Sequence, residues 1–297
     1  MNGPQFWLDD VDALDRIAIA DVSDEIKGIA RDLATEGIAV LRGANSPDLC
    51  KHVIADYGRY VELHRDYVRG NLTEHGREKR LVNFHLWSEP AAQLASNPRI
   101  MAALDFVFAS PAAVYTSLTF KYGTQQPVHR DTPHFATWPL RMFAGVWTAL
   151  EDVSPDAGPL FYHPGSHRLA IDPAQYMAEA RSRIPDGSER DQLLMALDLY
   201  NGEVIRRSTS ASAPKILDLR AGDTVIWHPE LPHGGSPANN PDLTRWSSVF
   251  HCAPVAVQVH QHDRFFLHAG ETPPPDRYGY FERFGRHFAV SGEVAYM

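Results

Sequence analysis

The sequence is poor in the features that mark secreted or membrane proteins. Only two cysteines, Cys50 and Cys252, occur among 297 residues, so the fold does not rest on a disulfide framework. No apolar run approaches the roughly 18 residues of a membrane-spanning helix. The acidic N-terminal segment lacks the basic and apolar regions of a secretory signal. We therefore expect a cytoplasmic protein with no membrane partner.

Positive charge is also scarce. The chain has 28 basic and 37 acidic residues, which give a net charge of −9, and it has no extended basic run. This balance repels nucleic acid, so a nucleic-acid partner is not expected. With 44% apolar and 22% charged residues, the composition is globular. Because no repeat or linker divides the chain, we predict a single domain over residues 1–297.

The first part of the chain, about residues 1–111, is predicted to be mainly helical. Apolar residues recur at helical spacing in "EIKGIARDLATE", which Ser23 or Asp24 can cap and Gly37 ends. A strand, "IAVLRG", follows. Pro47 then marks the first turn of a second helix, predicted to run through "LCKHVIADYGRYVELHRDYV".

The pattern changes at Ala112. Segments rich in β-branched and aromatic residues, separated by Gly, Pro, Asp and Asn, extend to about residue 265. They predict an antiparallel β-barrel or sandwich. A polar stretch with helical periodicity, about residues 172–200, interrupts them as an insertion. The predicted fold class is therefore mainly β, with N-terminal flanking helices and a helical insertion.

The tripeptide His-Arg-Asp occurs twice, at His64–Asp66 and at His129–Asp131. With fifteen histidines, roughly one His-x-Asp is expected by chance. The backbone conformation of each copy must therefore distinguish a metal site from a chance occurrence. In a helix, residues i and i+2 point about 200° apart, whereas in an extended segment they share a face. Pro127 favours extended backbone before the second copy. The second copy is therefore the candidate metal site, and the first is predicted to be a solvated helix face.

A catalytic iron site needs a third ligand. Two histidines and one carboxylate form the arrangement that leaves open positions on a non-haem Fe(II) centre. The segment "DTVIWHPELPHGGSP" contains two candidates, His228 at a strand end and His233 at a Gly-Gly turn. His233 is the preferred ligand, because His228 ends the strand directly before a proline.

Arg245 lies twelve residues after His233, at the start of "RWSSVF". A strand returning from the turn would direct Arg245 into the barrel, where a buried guanidinium implies a carboxylate or phosphate partner. Ser247, two residues on, shares that face and could add a hydroxyl donor. The alternative is that Arg245 is exposed on its strand. The three candidate ligands favour the inward position instead.

Three segments together resemble the phytanoyl-CoA dioxygenase family of Fe(II)/2-oxoglutarate oxygenases. They are "VHRD", "VWTALEDVSPDAGPLFYHPGSHR", and "LPHGGSP" followed by "RWSS". The middle segment is the most specific, and the resemblance extends from about Tyr115 to about Ala253. Its matching positions here are Trp147, Ala149, Leu150, Asp152, Gly158, Pro159, Leu160, Pro164, Gly165, Ser166 and His167.

The resemblance implies a double-stranded β-helix, a cupin-like jelly roll, in which His129, Asp131 and His233 bind Fe(II). It implies that Arg245 pairs with the far carboxylate of 2-oxoglutarate, that dioxygen is the oxidant, and that ascorbate can serve as reductant. The implied reaction hydroxylates a C–H bond of a small molecule and releases succinate and CO2. Halogenating relatives replace the carboxylate ligand with a small residue, so Asp131 favours hydroxylation. The family usually places its arginine eleven residues after the distal histidine, so this loop is one residue longer.

Other assignments are made from position alone. Trp147 stands where the family packs an aromatic ring near the cosubstrate, with an ordinary core tryptophan as the alternative. The insertion is interpreted as a lid, a solvated excursion or an oligomer contact, and "PGSHR" as a structural turn. The residues predicted to line the substrate entrance are His134, Phe135, Trp138 and Arg141.

Two other functions use the same residues. A jelly-roll binding protein could retain the metal ligands without turnover, and a zinc hydrolase could use the same His/Asp/His set. The intact ligand set and Arg245 oppose the first alternative, and Arg245 has no role in the second. The motifs concern iron and cosubstrate, so they predict neither the small-molecule substrate nor the oligomeric state.

Overall fold

The N-terminal helices begin and end at residues suited to those positions. The Ser23 hydroxyl caps one helix by accepting a hydrogen bond from the Ile26 N–H, and Gly37 ends it with a φ of 80°. Ser46 caps another helix, with Pro47 at its first position. In the described part of the chain, the helices before the main strands are α1 (Ala13–Ile19), α2 (Asp24–Glu36), α3 (Pro47–Leu63), α4 (Arg65–Arg69), α5 (Glu89–Ala95) and α6 (Pro98–Phe108).

The helix predicted to run past Tyr67 is interrupted, so that prediction is wrong. α3 ends at Leu63, and His64 leaves the helical region with φ −115° and ψ 33° before α4 begins. Within α4, Val68 is buried, whereas Tyr67 is exposed. His64 and Asp66 are both exposed, as expected for the first His-x-Asp copy.

Strands follow from Ala112, where the change of pattern predicted them. The strand predicted in "IAVLRG" is also present. One further short strand in the predicted helical part and three after residue 265 join the sheets as well, so the β-structure extends beyond its predicted limits. The strands are β1 (Ile38–Leu41), β2 (Leu81–Val82), β3 (Ala112–Phe120), β4 (Thr137–Trp138), β5 (Ala144–Ala149), β6 (Leu160–Tyr162), β7 (Lys215–Ile216), β8 (Thr224–Trp227), β9 (His233–Gly235), β10 (Ser247–Pro254), β11 (Gln258–Val259), β12 (Tyr280–Arg283), β13 (Arg286–Ala289) and β14 (Ala295–Tyr296).

The computed structural model describes residues 6–74, 76–255, 257–259, 265–266, 279–290 and 294–296. The predicted domain, 1–297, and the predicted β-core, 112–265, both include positions outside the described residues. No described helix is both long enough and apolar enough to cross a membrane.

The strands form a large sheet and two small ones. The large sheet has the order β1-β8-β5-β10-β3-β13-β12, with β2 pairing with β3 and β14. Its neighbours are antiparallel except β13 and β3. The small sheets are β7-β6-β9 and β11-β4. Residues of β5, β8 and β10 and residues of β6 and β9 line one cavity, so the sheets enclose it as in the predicted jelly roll.

The central strands are buried on both faces, which explains their continuous apolar sequences. Val146 and Phe250 pack with the N-terminal helices, whereas Trp147 and Val249 belong to the core inside the barrel. This alternation follows from the two-residue period of a strand. The helices thus close the outer face of the sheet and leave the inner face for the cavity.

The helical insertion is longer than predicted. It consists of α7 (Pro173–Arg183) and α8 (Glu189–Ala211), so its helices end eleven residues after the predicted limit of residue 200. Tyr200, Val204 and Ser208 are all buried and lie four residues apart on α8, which carries its packed face past residue 200. Gly202 and the Ser/Thr-rich end of α8 have low helix propensity, so the sequence gives a weak helical signal after residue 200.

Candidate active site

Two histidines that are distant in sequence are joined by a β-bridge. The backbone groups of His129 and His233 exchange two hydrogen bonds of 3.0 Å. Asp131 Oδ1 lies 3.7 Å from His129 Nε2 and 3.8 Å from His233 Nε2. The structure therefore brings the three predicted metal ligands together, and their ligand atoms lie within 4.8 Å of one another.

The alternative ligand, His228, lies elsewhere. Its Nε2 is 3.2 Å from Asp9 Oδ1, and its ring meets the ring of Phe6 edge-on at 4.8 Å. It is not among the residues that line the cavity. His233 lies in strand β9 rather than in the predicted Gly-Gly turn, and that strand directs it toward Asp131.

Backbone carbonyls orient both candidate imidazole ligands. His129 Nδ1 lies 2.8 Å from the Pro127 carbonyl oxygen, and His233 Nδ1 lies 2.9 Å from that of Leu231. Because a carbonyl oxygen only accepts, each Nδ1 carries a proton, and each Nε2 points into the space beside Asp131 Oδ1. Burial, reinforced by the His233 ring, lowers the pKa of His129 to about 3. His129 is thus held in the neutral form that binds metals.

Two donors hold the Asp131 carboxylate. Trp227 Nε1 donates to Oδ2 at 2.8 Å, and His251 Nε2 lies 3.2 Å from the same oxygen. Oδ1 is left facing the two histidines. Burial alone would raise the pKa of Asp131, but His233, His251 and His129 outweigh it and hold the pKa well below its ordinary value. Asp131 is therefore an ionised candidate ligand with one oxygen already oriented.

Sequence reasoning missed both of these donors. Val249 and His251 lie two and four residues after Ser247 on β10, so the alternation that relates Arg245 to Ser247 would have placed His251 on the cavity face. The Trp227 donor could not be found in this way. Its indole occupies space that is open only because its cross-strand partner is Gly145. A Cβ at Gly145 would lie 2.3 Å from the Trp227 indole, and no local sequence signal reveals that contact.

Arg130 and Thr132, the sequence neighbours of Asp131, are held on the side away from the cavity. Arg130 is fully buried and forms an ion pair with Glu230, with 2.5 Å between Nη1 and Oε2. The Thr132 hydroxyl donates to Glu230 Oε1 at 2.8 Å. Arg130 also donates to the hydroxyl of Tyr200 in α8 at 3.4 Å. This network fixes the backbone that carries His129 and Asp131 and ties it to the helical insertion.

The candidate ligands form part of the wall of a cavity of about 630 Å³. This volume lies within the usual range for small-molecule sites. Phe135 lines it and also stacks on His251, with the ring centroids 3.6 Å apart. The predicted site residues that line the cavity are His129, Asp131, His134, Phe135, Trp147, His233 and Arg245.

Three other predicted site residues are not among those that line the cavity. The hydroxyl of Ser247 lies 3.4 Å from the carbonyl oxygen of Arg245, to which it donates. Trp138 lies in β4 and pairs with Gln258 of β11. The side chain of Arg141 is 47% exposed, and its Nε lies 3.4 Å from Glu230 Oε1. Arg141 thus belongs to the Arg130 network.

Arg245 is a buried cation inside the cavity. Its side chain donates to the Gly158 carbonyl oxygen at 3.1 Å and lies 5.7 Å from the Trp147 ring centroid, but its buried Nε has no hydrogen-bond partner. No acidic side chain of the described residues pairs with it. Burial lowers the pKa of Arg245 to about 10. Such a cation requires an anionic partner, and a carboxylate of 2-oxoglutarate fits that requirement.

A jelly roll that presents two histidines and one carboxylate in a cavity belongs to the class of cupin-like folds. Within that class, a sequence model of the phytanoyl-CoA dioxygenase (PhyH) family matches residues 33–246. The chain therefore belongs to the phytanoyl-CoA dioxygenase family, which confirms the resemblance seen in its motifs.

The chain is also similar to curated members of this family. It is 28% identical over 171 residues to phytanoyl-CoA dioxygenase domain-containing protein 1 of Bos taurus, which covers 57% of this chain and 54% of that protein. It is 26% identical over 140 residues to the peroxisomal phytanoyl-CoA dioxygenase of Mus musculus, covering 47% and 35%. The chain thus spans about half or less of the length of these relatives.

Solved structures share the fold at low sequence identity. The epimerase SnoN, in complex with Fe3+, alpha ketoglutarate and nogalamycin RO, matches with a TM-score of 0.61 and 20% identity over 90% of this chain and 98% of SnoN. EctD from S. alaskensis, with 2-oxoglutarate and 5-hydroxyectoine, matches with a TM-score of 0.61 and 16% identity, covering 86% and 83%. These matches confirm the predicted jelly-roll fold.

Proposed function

We propose that this chain is an Fe(II)- and 2-oxoglutarate-dependent dioxygenase that hydroxylates a C–H bond of a small molecule. One observation carries the proposal: a single cavity holds three oriented metal-ligand atoms and a buried guanidinium without an acidic partner among the described residues. Membership of the phytanoyl-CoA dioxygenase family supports it. The two structural relatives named above were solved with alpha ketoglutarate or 2-oxoglutarate, which supports the same cosubstrate here.

The three ligand residues fit a ferrous ion. His129 and His233 would contribute their Nε2 lone pairs, and Asp131 would contribute Oδ1 and one negative charge. Two imidazoles and one carboxylate leave open coordination positions, which is the donor set of non-haem Fe(II) oxygenases. The hydrogen bonds to Asp131 Oδ2 and to the two histidine Nδ1 atoms would keep these ligands in place as reactants enter and leave.

Arg245 would hold the far carboxylate of 2-oxoglutarate. Its planar guanidinium suits a carboxylate, and Trp147 lies against it. When bound, the ion, 2-oxoglutarate and dioxygen supply the oxidation: 2-oxoglutarate loses CO2 and gains one oxygen atom to give succinate, while the other oxygen atom enters the C–H bond. The apolar side chains of the wall, such as Leu118 and Val249, limit water around the reacting atoms.

Succinate release tests this function. Purified protein would be incubated in air with Fe(II), 2-oxoglutarate and ascorbate, and wild type would be compared with His129→Ala and Arg245→Gln. The matched controls are His64→Ala, in the exposed copy of the motif, and Arg190→Gln, in an exposed part of α8. We expect succinate from the wild type and from both controls, and a loss of at least about tenfold in the two cavity variants.

The same assay separates the alternatives. Succinate production that survives His129→Ala would contradict the ligand assignment. A wild type that produces no succinate and does not bind 2-oxoglutarate would instead support a binding protein without turnover. A hydrolase that works with zinc and is indifferent to 2-oxoglutarate analogues would support the zinc alternative. Once a substrate is found, a product that gains one oxygen atom establishes hydroxylation rather than another oxidation.

A further inference from the structure

Tyr115 lines the cavity because strand β3 contains a β-bulge. Three residues of β3 face the cavity at the two-residue spacing of an extended strand, namely Thr116, Leu118 and Phe120. On that spacing, Tyr115 would face away from the cavity. The pairing of β3 with β10 shifts at this point, because His251 pairs with Thr116, whereas the next residue of β10 pairs with Val114. Tyr115 is the extra residue, and the bulge turns its side chain onto the cavity wall.

Two arginines of the described cavity wall lie at the opposite end of β3 from the bulge. The Arg245 backbone N–H donates to the Lys121 carbonyl oxygen at 2.8 Å. Arg80 directly precedes β2, whose first residue pairs with Thr119. Because strand residues are about 3.3 Å apart, this end is roughly 15–20 Å from Tyr115 along the strand. In the proposed function, the far carboxylate of 2-oxoglutarate is held at this end.

The candidate iron site lies close to the bulge. His251 Nε2 is 3.2 Å from Asp131 Oδ2, and His251 pairs with Thr116, the residue next to Tyr115. The ring centroids of Tyr115 and His251 are 6.1 Å apart. A 2-oxoglutarate molecule that extends from Arg245 to the iron therefore leaves the Tyr115 end of the cavity open. This end is the part of the cavity that remains available to a substrate.

The described wall around Tyr115 carries no permanent charge. Tyr115 is buried and packs with Phe143 and Val259, and Val259 and Phe135 also line the cavity. Apart from Asp131, the permanently charged residues of the described wall are the two arginines at the opposite end. Burying a charge without a partner is costly, whereas aromatic rings pack favourably. The Tyr115 end therefore suits an uncharged molecule that contains a ring.

The Tyr115 hydroxyl adds a polar group to this apolar end. It donates to the Phe135 carbonyl oxygen at 3.5 Å. A phenol oxygen that donates its proton in this way can still accept hydrogen bonds through its lone pairs. A substrate group that donates to this oxygen would be oriented beside the candidate iron site, because the Tyr115 ring lies next to His251.

We propose that Tyr115 determines specificity by accepting a hydrogen bond from a hydroxyl group of an uncharged, ring-containing substrate. This inference rests on the proposed function and names its substrate class. A hydroxyl donates to the phenol oxygen, whereas the matching ether cannot donate, and a carboxylate would bring a charge to a described wall without a cation. The Tyr115 hydroxyl thus distinguishes compounds that the ring of Tyr115 alone would accept equally.

Binding of matched alcohols and ethers tests this assignment without turnover. Under anaerobic conditions, the protein would be saturated with Fe(II) and 2-oxoglutarate. Calorimetry would then measure the affinity for the hydroxymethyl derivatives of benzene, naphthalene and biphenyl, for their methyl ethers, and for the corresponding carboxylates. The visible Fe(II)-2-oxoglutarate absorption band would report in the same samples that the cosubstrate is still bound.

We expect the best-fitting alcohol to bind about twofold to tenfold more tightly than its methyl ether, the range for a hydrogen bond between neutral groups. It should also bind more tightly than its carboxylate. Tyr115→Phe keeps the ring and should remove the preference for the alcohol over the ether. The control Tyr67→Phe, at an exposed ring, should retain it. The absorption band should be unchanged in both variants, which also shows that each has folded.

Three results would overturn the inference. The first is equal affinity for alcohols and ethers in the wild type, or no binding of any of the alcohols, while the absorption band is present. The second is an unchanged preference in Tyr115→Phe, which would leave Tyr115 with a packing role alone. The third is tighter binding of the carboxylates than of the alcohols, which would assign this end to an anion. Absence of the band in the wild type would instead contradict the proposed function itself.

Discussion

Arg130, which lies between two candidate metal ligands in the sequence, forms a buried ion pair with Glu230 about 100 residues later. Glu230 Oε1 also accepts from the Thr132 hydroxyl. Burial alone would raise the pKa of Glu230, but Arg130 and Arg141 hold it below its ordinary value. The ion pair thus fixes the segment that carries His129 and Asp131 from the side opposite the cavity.

Replacing Glu230 should destabilise the protein strongly. Glu230→Gln leaves the Arg130 guanidinium buried and unpaired, so we expect the free energy of unfolding to fall by about 3–5 kcal/mol. The matched control is Glu179→Gln, which breaks the exposed ion pair with Arg183 and should cost less than about 1 kcal/mol. Urea unfolding measures both changes, and equal losses would contradict the structural role of this ion pair.

The Trp227 hydrogen bond should affect metal affinity. Trp227→Phe removes the 2.8 Å donor to Asp131 Oδ2 but keeps an aromatic ring. We expect the affinity for Fe(II) to fall roughly tenfold to a hundredfold, as is typical when a group that orients a metal ligand is lost. Anaerobic calorimetry provides the measurement, with Trp87→Phe, at a partly exposed tryptophan, as control. Unchanged affinity in Trp227→Phe would show that His251 alone orients the carboxylate.

Arg245 should act on the cosubstrate and not on the metal. In Arg245→Gln we expect the dissociation constant for 2-oxoglutarate to rise roughly tenfold to a hundredfold, because a charge-assisted hydrogen bond is lost. The affinity for Fe(II) should stay within about twofold of wild type, because Arg245 is not a ligand. Titrations with each component separate the two effects. A variant that loses iron and keeps 2-oxoglutarate would reverse the assignment.

Acid should destabilise the native state partly through His85. Burial, assisted by Arg283, lowers the pKa of His85 from 6.5 to about 3. As the pH falls from about 6.5 toward 3, the unfolded chain gains a proton that the native state does not, so stability is lost at up to about 1.4 kcal/mol per pH unit. His85→Gln should reduce this slope by up to that amount.

Metal-free protein in a chelating buffer is suited to that test, because His85 is not a candidate ligand. The free energy of unfolding would be measured by urea at several pH values between 7 and 4.5. The control is His52→Gln, at an exposed position, which should leave the slope unchanged. An unchanged slope in His85→Gln would mean that His85 takes up its proton in the folded protein.

Much of the site could be predicted from sequence because its elements are local. The spacing of His129 and Asp131 on extended backbone, and the motif around His233, place the three ligands without knowledge of the fold. The position of Arg245 on the cavity wall follows from strand direction. These predictions need only periodicity, a proline and a resemblance to a family.

The remaining features depend on contacts between distant parts of the chain. Strand β2 has only two residues, too few to give a periodic signal beside a polar loop. Trp227 lies beside Asp131 because Gly145 leaves space on the neighbouring strand. Trp138 and Arg141 are close to the ligands in sequence, but pairing with β11 and contact with Glu230 engage them instead. Tertiary contacts decided each of these positions.

The most direct test of the account is an anaerobic titration of the metal-free protein with Fe(II) in the presence of 2-oxoglutarate, followed by visible absorption. We predict that the Fe(II)-2-oxoglutarate band appears and saturates at one iron per chain in the wild type and in His64→Ala. It should be absent in His129→Ala. A band in His129→Ala equal to that of wild type, or no band in any of the three proteins, would contradict the assignment of His129, Asp131 and His233 as the iron ligands.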